Sequence, residues 1–215
     1  MLEIKNLSIK TLNEEKEIIT DLNLVINKND KLAIIGEEGN GKSTLLRCIY
    51  NEQLIKDYAI VTGKIIKNNV IIGYLEQFLD KNWNNQLVGD FFVKNSPNGE
   101  IDYDKYSEIY KLDEIFKELN INYNEFENKM IANLSGGEKV KIQIAKILFN
   151  SPKLLLLDEP TNDIDIPTLE WLENFILKSE IPVVFISHDE VLLENVANGI
   201  LHLEQIENKT KAKYT

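Results

Sequence analysis

The run Gly36-Glu37-Glu38-Gly39-Asn40-Gly41-Lys42-Ser43 constrains this chain more than any other. It has the spacing G-x-x-x-x-G-K-S and lies between an apolar run at 31–35 and an apolar, helix-like run at 43–50. Strand, glycine loop and helix in that order form a phosphate cradle. The glycines let the backbone turn so that successive N–H groups face a phosphate, and the helix behind them adds its N-terminal dipole. Lys42 is then placed to reach β- and γ-phosphates, and the Ser43 hydroxyl to bind Mg²⁺. Thr44 closes the stretch expected to hold the nucleotide. Glu37 and Glu38 are unusual neighbours for a triphosphate and are expected to face solvent, lending only their backbone.

A second run, Leu154-Leu155-Leu156-Leu157-Asp158-Glu159, reads as a buried strand with two carboxylates at its end. Adjacent strand residues point to opposite faces, so one carboxylate can meet a metal and the other a water. Asp158 fits the Mg²⁺ role, and Glu159 that of general base or water-orienting group. Between the two runs, Ser135-Gly136-Gly137-Glu138 opens a helix whose polar stripe is Lys139, Gln143, Lys146 and Asn150. Serine followed by two glycines is either an ordinary helix cap or a bare N-terminus that binds a second anion. In the second case the site would complete a partner's phosphate loop, because one chain has no evident use for two.

Around these motifs the pattern is mixed. Residues 2–9 and 18–26 read as strands separated by a charged turn at 13–17. Residues 63–66 and 70–75 read as a further strand pair broken by Lys67-Asn68-Asn69, giving an antiparallel sheet beside the nucleotide core. From 82 to 150 the chain turns polar and helical in spacing, as in Ile109, Leu112, Ile115, Phe116 and Leu119. After Pro152, strands at 154–157 and 183–187 alternate with helices at 167–177 and 190–197, which predicts a parallel sheet with its ligand at the carboxyl ends. The expected fold is therefore α/β: a phosphate-loop NTPase core with a parallel sheet, an antiparallel β subdomain and an inserted helical subdomain. We expect one domain over 1–205, with 1–81 and 151–205 as core and 82–150 as the helical insert. Residues 206–215 read as a low-order tail or the start of an interdomain linker.

Composition narrows the setting. A formal net charge of −11 on 215 residues argues against a broad nucleic-acid footprint, so any such contact would be local. The single cysteine, Cys48, excludes an internal disulfide, fits a reducing compartment and reads as a small buried hydrophobe. The longest apolar runs are strand-length and no basic-then-apolar leader opens the chain, so a cytoplasmic protein without a transmembrane segment is expected.

In order and spacing, these motifs resemble the nucleotide-binding domain of the ATP-binding cassette superfamily over essentially the whole chain. The resemblance implies ATP and Mg²⁺ as ligands, and hydrolysis between two facing cassettes. It implies that Gln77, in Gly73-Tyr74-Leu75-Glu76-Gln77, contacts metal and attacking water. His188, in Ser187-His188-Asp189, would sense the γ-phosphate, and Thr161-Asn162-Asp163-Ile164-Asp165 would form the D-loop. Ser135, Gly136 and Gly137 would bind the partner's ATP. Pro160-Thr161-Asn162 with Asp165, the Ser-His-Asp triplet, and Val196-Ala197-Asn198-Gly199-Ile200 resemble the ABC-F branch. That branch comprises soluble tandem cassettes acting on ribosomes, some conferring antibiotic resistance. Two departures stand out: Asp163 replaces the branch's usual histidine, and no aromatic lies near Thr11 or Leu12, where many cassettes stack adenine. The alternatives are an ATPase subunit of a membrane transporter, docking a membrane partner, and a nucleotide-gated clamp with little turnover. A chromosome-maintenance ATPase is disfavoured because no coiled coil separates the phosphate loop from Asp158.

Overall fold

Three short apolar strands organise the molecule: β3 (Lys31–Ile35), β6 (Leu154–Asp158) and β7 (Val183–Ile186). Nearly every residue in them is buried, as expected of strands covered on both faces. Alternation divides their side chains between two cores. Ala33, Leu155, Leu157, Val183 and Phe185 face the helical side. Leu32, Ile34, Leu154, Leu156, Val184 and Ile186 pack with α1 (Lys42–Tyr50).

A computed structural model describes residues 2–12, 17–206 and 209–214. Among these, β1 (Leu2–Thr11), β2 (Glu17–Ile26), β4 (Ala59–Ile66), β5 (Ile72–Leu75), β8 (Gly199–Ile206) and β9 (Lys209–Tyr214) join the three central strands in one sheet, ordered β4-β1-β2-β9-β8-β3-β7-β6-β5. β8, β3, β7, β6 and β5 run parallel, and β1 pairs antiparallel with both β2 and β4.

Two expectations change here. Residues 63–66 and 70–75 do not pair; they lie at opposite edges of the sheet. Asn68 and Asn69 turn the chain with φ of 44° and 58°, and Ile72 to Leu75 then align with the leucines of β6. The apolar match to β6 outweighs the short hairpin, because β5 packs Gly73 directly beneath Ile147. The expected low-order tail is likewise a strand over 209–214, antiparallel to β8 and parallel to β2. Thr210, Ala212 and Tyr214 alternate with lysines at a period of two, and β9 joins β2 to β8, whose edges would otherwise be unpaired. Of the expected turn at 13–17, residues 13–16 lie outside the described residues, as do 1, 207, 208 and 215, while Glu17 already belongs to β2.

The 82–150 insert is helical as expected: α2 (Val88–Val93), α3 (Tyr103–Ser107), α4 (Lys111–Glu118) and α5 (Gly136–Phe149), with 3-10 turns between. Its centre is aromatic. Trp83, Phe91, Phe92 and Phe116 meet edge-to-face at 4.8–5.9 Å between ring centres, a preferred geometry for aromatic pairs. The expected polar stripe of α5 is interrupted at Lys146, which turns inward. Its Nζ lies 4.2 Å from the Trp83 ring centre and 3.9 Å from that of Phe91, and donates to the Lys94 carbonyl at 3.2 Å. Burial lowers its pKa to about 7.

α6 (Ile166–Lys178) and α7 (Glu190–Val196) return the chain between core strands. Asp165 and Asp189, singled out above within motifs, cap them by accepting from the Thr168 and Leu192 amides at 3.1 and 2.8 Å. Cys48 is fully buried, and its thiol is pushed up to about 12 by that burial, so it is the inert hydrophobe expected. No helix among the described residues is long and apolar enough to cross a membrane.

Candidate nucleotide site

The glycine loop leaves the end of β3 and enters α1 at Gly41, the helix N-cap, at φ 84°. A Cβ there would run into Ile18 of β2, so glycine is needed for both the turn and the close approach. Glu37, Glu38 and Gly39 are exposed, and Glu38 and Gly39 also line the cavity described below. Asn40 instead faces inward: its amide donates to the Leu203 carbonyl at 3.0 Å and ties the loop to β8. Lys42 is only 7% exposed, and its ammonium lies within the loop, donating to the Gly36 and Glu37 carbonyls at 2.8 and 3.0 Å.

Opposite the loop, β6 ends at Asp158, which is fully buried. Its Oδ1 accepts from the Ser43 hydroxyl at 2.8 Å, and its Oδ2 from the Tyr74 hydroxyl at 3.1 Å. Burial pushes this carboxyl above its ordinary range, against the hydrogen bonds from Ser43 and Tyr74 and the charges of Arg47 and Lys42. Glu159 follows with φ 50°, left-handed for a non-glycine residue, and its amide donates to the Ile186 carbonyl of β7 at 3.1 Å. Such strained backbone is held only where its surroundings determine it. Burial raises the Glu159 carboxyl too, with His188 opposing. Oε1 lies 3.1 Å from His188 Nε2, while Oε2 is buried and accepts no hydrogen bond among the described residues.

Lys42, Ser43, Thr44, Gln77, Glu159 and His188 line a cavity of about 520 Å³, so residues far apart in sequence meet there; Asp158 does not line it and is joined to it through its hydrogen bond from Ser43. Thr11, Ile18 and Asn162 also line it. Ile18 carries no motif; only its place on the strand beside Gly41 reveals it. Tyr74 and Arg47 sit behind Asp158 and were likewise not legible as site residues.

The residues fit a magnesium–nucleotide complex. The loop offers backbone N–H groups and a buried ammonium. Ser43, on the cavity wall, and Asp158 behind it form an oxygen pair, and Glu159 Oε2 is a buried acceptor without a donor among the described residues. Among the described residues no cluster of three or more His, Cys, Asp or Glu could hold a metal. That suits Mg²⁺, which typically takes one or two carboxylates and otherwise phosphate and water.

Ser135, Gly136 and Gly137 do not line this cavity. Ser135 caps α5 in a full capping box: its Oγ accepts from the Glu138 amide at 3.2 Å, and Glu138 Oε2 accepts from the Ser135 amide at 2.8 Å. A Cβ on Gly136 would strike the Asp163 carbonyl, and one on Gly137 the Thr168 hydroxyl. The glycines thus let the start of α5 pack against the segment that leads from Glu159 into α6.

Residues 19–162 match the ABC transporter family. The chain belongs to that family, the ATP-binding cassettes. The cassette is 35% identical over 207 residues to the ATP-binding protein Uup of Buchnera aphidicola, covering 95% of this chain and 33% of that protein. It is 33% identical over 206 residues to the energy-dependent translational throttle protein EttA of Escherichia coli, covering 94% and 34%. It therefore spans about a third of the length of these curated relatives. Among solved structures, a dimeric bacterial ABC transporter cassette superposes with a TM-score of 0.74 over 100% of this chain and 98% of that one, at 22% identity, which establishes the cassette fold. The α/β architecture read from the motifs is the one observed.

Proposed function

We propose that this cassette binds and hydrolyses Mg-ATP as one of a facing pair. The observation that carries this reading is the convergence of Lys42, Ser43 and the Glu159–His188 pair on one cavity, with Asp158 hydrogen-bonded to Ser43 behind its wall, at the carboxyl ends of β3, β6 and β7. The loop amides and Lys42 bind the triphosphate. Ser43, Asp158 and Gln77 hold Mg²⁺, which when bound neutralises charge on the β- and γ-phosphate oxygens. Glu159 takes the proton of the attacking water through Oε2, its carboxyl already raised by burial. His188, bonded to Oε1 and 62% exposed at the rim, orients Glu159 and meets the γ-phosphate.

Ser135, Gly136 and Gly137 serve the partner's ATP, since they miss their own chain's cavity. The dimeric form of the structurally similar cassette supports this arrangement. The test is phosphate release by the isolated chain in Mg²⁺ and in excess chelator. Activity should require the metal and rise more than linearly with protein concentration. Metal-independent release, or constant specific activity in a chain that stays monomeric with ATP, would contradict the reading.

The biological setting we propose is an ABC-F protein acting on the ribosome as translation factor or resistance protein, with 1–205 as one cassette of a tandem chain in the cytoplasm. The translational function printed for EttA, and the ABC-F-like residues at 160–165, 187–189 and 196–200, support it. A transporter subunit is the second reading. It is favoured by a cavity of about 650 Å³ between β5 and α5, lined by Phe78, Trp83 and Phe91. Phe78 there is 70% exposed, as a docking residue would be. The parent gene separates the two: a second cassette supports the first reading, a neighbouring membrane-spanning subunit the other.

Base recognition should be loose. Leu12 is exposed, and the described wall offers Ile18 and Thr11 rather than a ring. A lost stacking contact is worth about 1–3 kcal/mol in nucleic-acid-binding proteins. GTP should therefore compete with ATP within about an order of magnitude in equilibrium binding. A strong preference for ATP would mean that another group reads the adenine.

A further inference from the structure

We propose that Tyr74 is a positioning residue that fixes the orientation of Asp158 toward Ser43 and thereby sets the cassette's demand for Mg²⁺. The proposal rests on the reading of Ser43 and Asp158 as the metal-holding pair. Asp158 closes a fully buried strand, and a carboxylate has two oxygens that can exchange places by rotation of the terminal torsion. Among the described residues two side-chain hydrogen bonds hold it: Ser43 on Oδ1 at 2.8 Å and Tyr74 on Oδ2 at 3.1 Å. When Ser43 turns a lone pair to a cation, its O–H can still donate to Oδ1. The Tyr74 bond holds the second oxygen, so together the two bonds fix which way the carboxylate faces.

Tyr74 is itself well held. The Arg47 guanidinium, from α1, stands near its hydroxyl and that of Tyr58, and its charge acts on both. Since the Asp158 carboxylate can only accept, the hydroxyl proton is directed to it. The ring lies 5.1 Å from that of Tyr50, and β5 keeps it in register with Leu156 of β6. The chain Tyr74–Asp158–Ser43 therefore joins β5 and the end of β6 to the helix behind the phosphate loop, the elements whose residues would hold Mg²⁺.

Tyr74→Phe keeps the ring and removes only the hydroxyl. Calorimetric titration of ATP should be made in chelator and across a Mg²⁺ series, with electron paramagnetic resonance of Mn²⁺ in the presence of nucleotide as a reading independent of activity. The variant should match the parent in metal-free ATP affinity. It should need about tenfold more metal for half-maximal tightening, the scale of one hydrogen bond to a charged group. Arg47→Met, which frees the Tyr74 hydroxyl without deleting it, should shift the metal demand in the same direction and less. Metal tightening in the parent that persists undiminished in Tyr74→Phe overturns the role of Tyr74 alone. A loss of metal-free affinity together with a lowered melting temperature would assign Tyr74 a structural role instead and also overturn it. A parent whose ATP affinity ignores metal would overturn the Mg²⁺ reading and the proposal with it.

Discussion

Glu159→Gln should retain ATP binding and lose turnover by roughly 10²–10⁴-fold, the range that one positioned base contributes. The substitution preserves shape and one oxygen, so contact with His188 can persist; it removes the capacity to accept a proton. Glu159 is set for that task by its surroundings. Its left-handed backbone is held by β7, burial raises its carboxyl, and one of its two oxygens has no donor in the described structure. Because the nucleotide can bind but not discharge, the variant should also accumulate as a closed ATP-bound dimer. Phosphate release near the parental rate would remove Glu159 from the mechanism.

Ser135→Arg should abolish most hydrolysis while leaving the monomer's ATP affinity within about twofold of the parent, since the damage falls on the site of the facing chain. The structure adds a control. Ser135 caps α5, so replacement by a residue that cannot cap also costs on the order of 1 kcal/mol of stability. Ser135→Ala loses the cap without adding bulk and should keep far more activity than the arginine variant. Mixing Ser135→Arg with Lys42→Ala should restore activity, because one composite site in each mixed pair has both an intact phosphate loop and an intact Ser135. No recovery on mixing, with both variants folded, would contradict shared sites.

The features legible in the sequence were those set by local rules. A glycine loop between strand and helix, an all-leucine strand ending in two acids, and a serine-capped helix each carry their chemistry within a few residues. Long-range pairing was not legible. Nothing local in residues 70–75 indicates that β5 crosses to the far edge, since its partner β6 follows the whole helical insert. β9 was missed because its lysines resemble a solvated tail until β2 and β8 supply edges on both sides. Tyr74, Arg47 and Ile18 belong to the site only through their neighbours in space. Lys146 misled in the opposite direction: its polar spacing on α5 suggested solvent, whereas Trp83 and Phe91 draw it inward.

Mg-ATP is expected to occupy the loop at 36–44 with Lys42 against its phosphates. Calorimetric titration of Mg-ATP into the parent and into Lys42→Ala measures this directly. Loss of a charge-assisted contact should weaken binding by about 10- to 100-fold, equivalent to roughly 1.5–3 kcal/mol, while the circular dichroism spectrum stays unchanged. Equal affinity for parent and variant would place the nucleotide elsewhere and contradict the site.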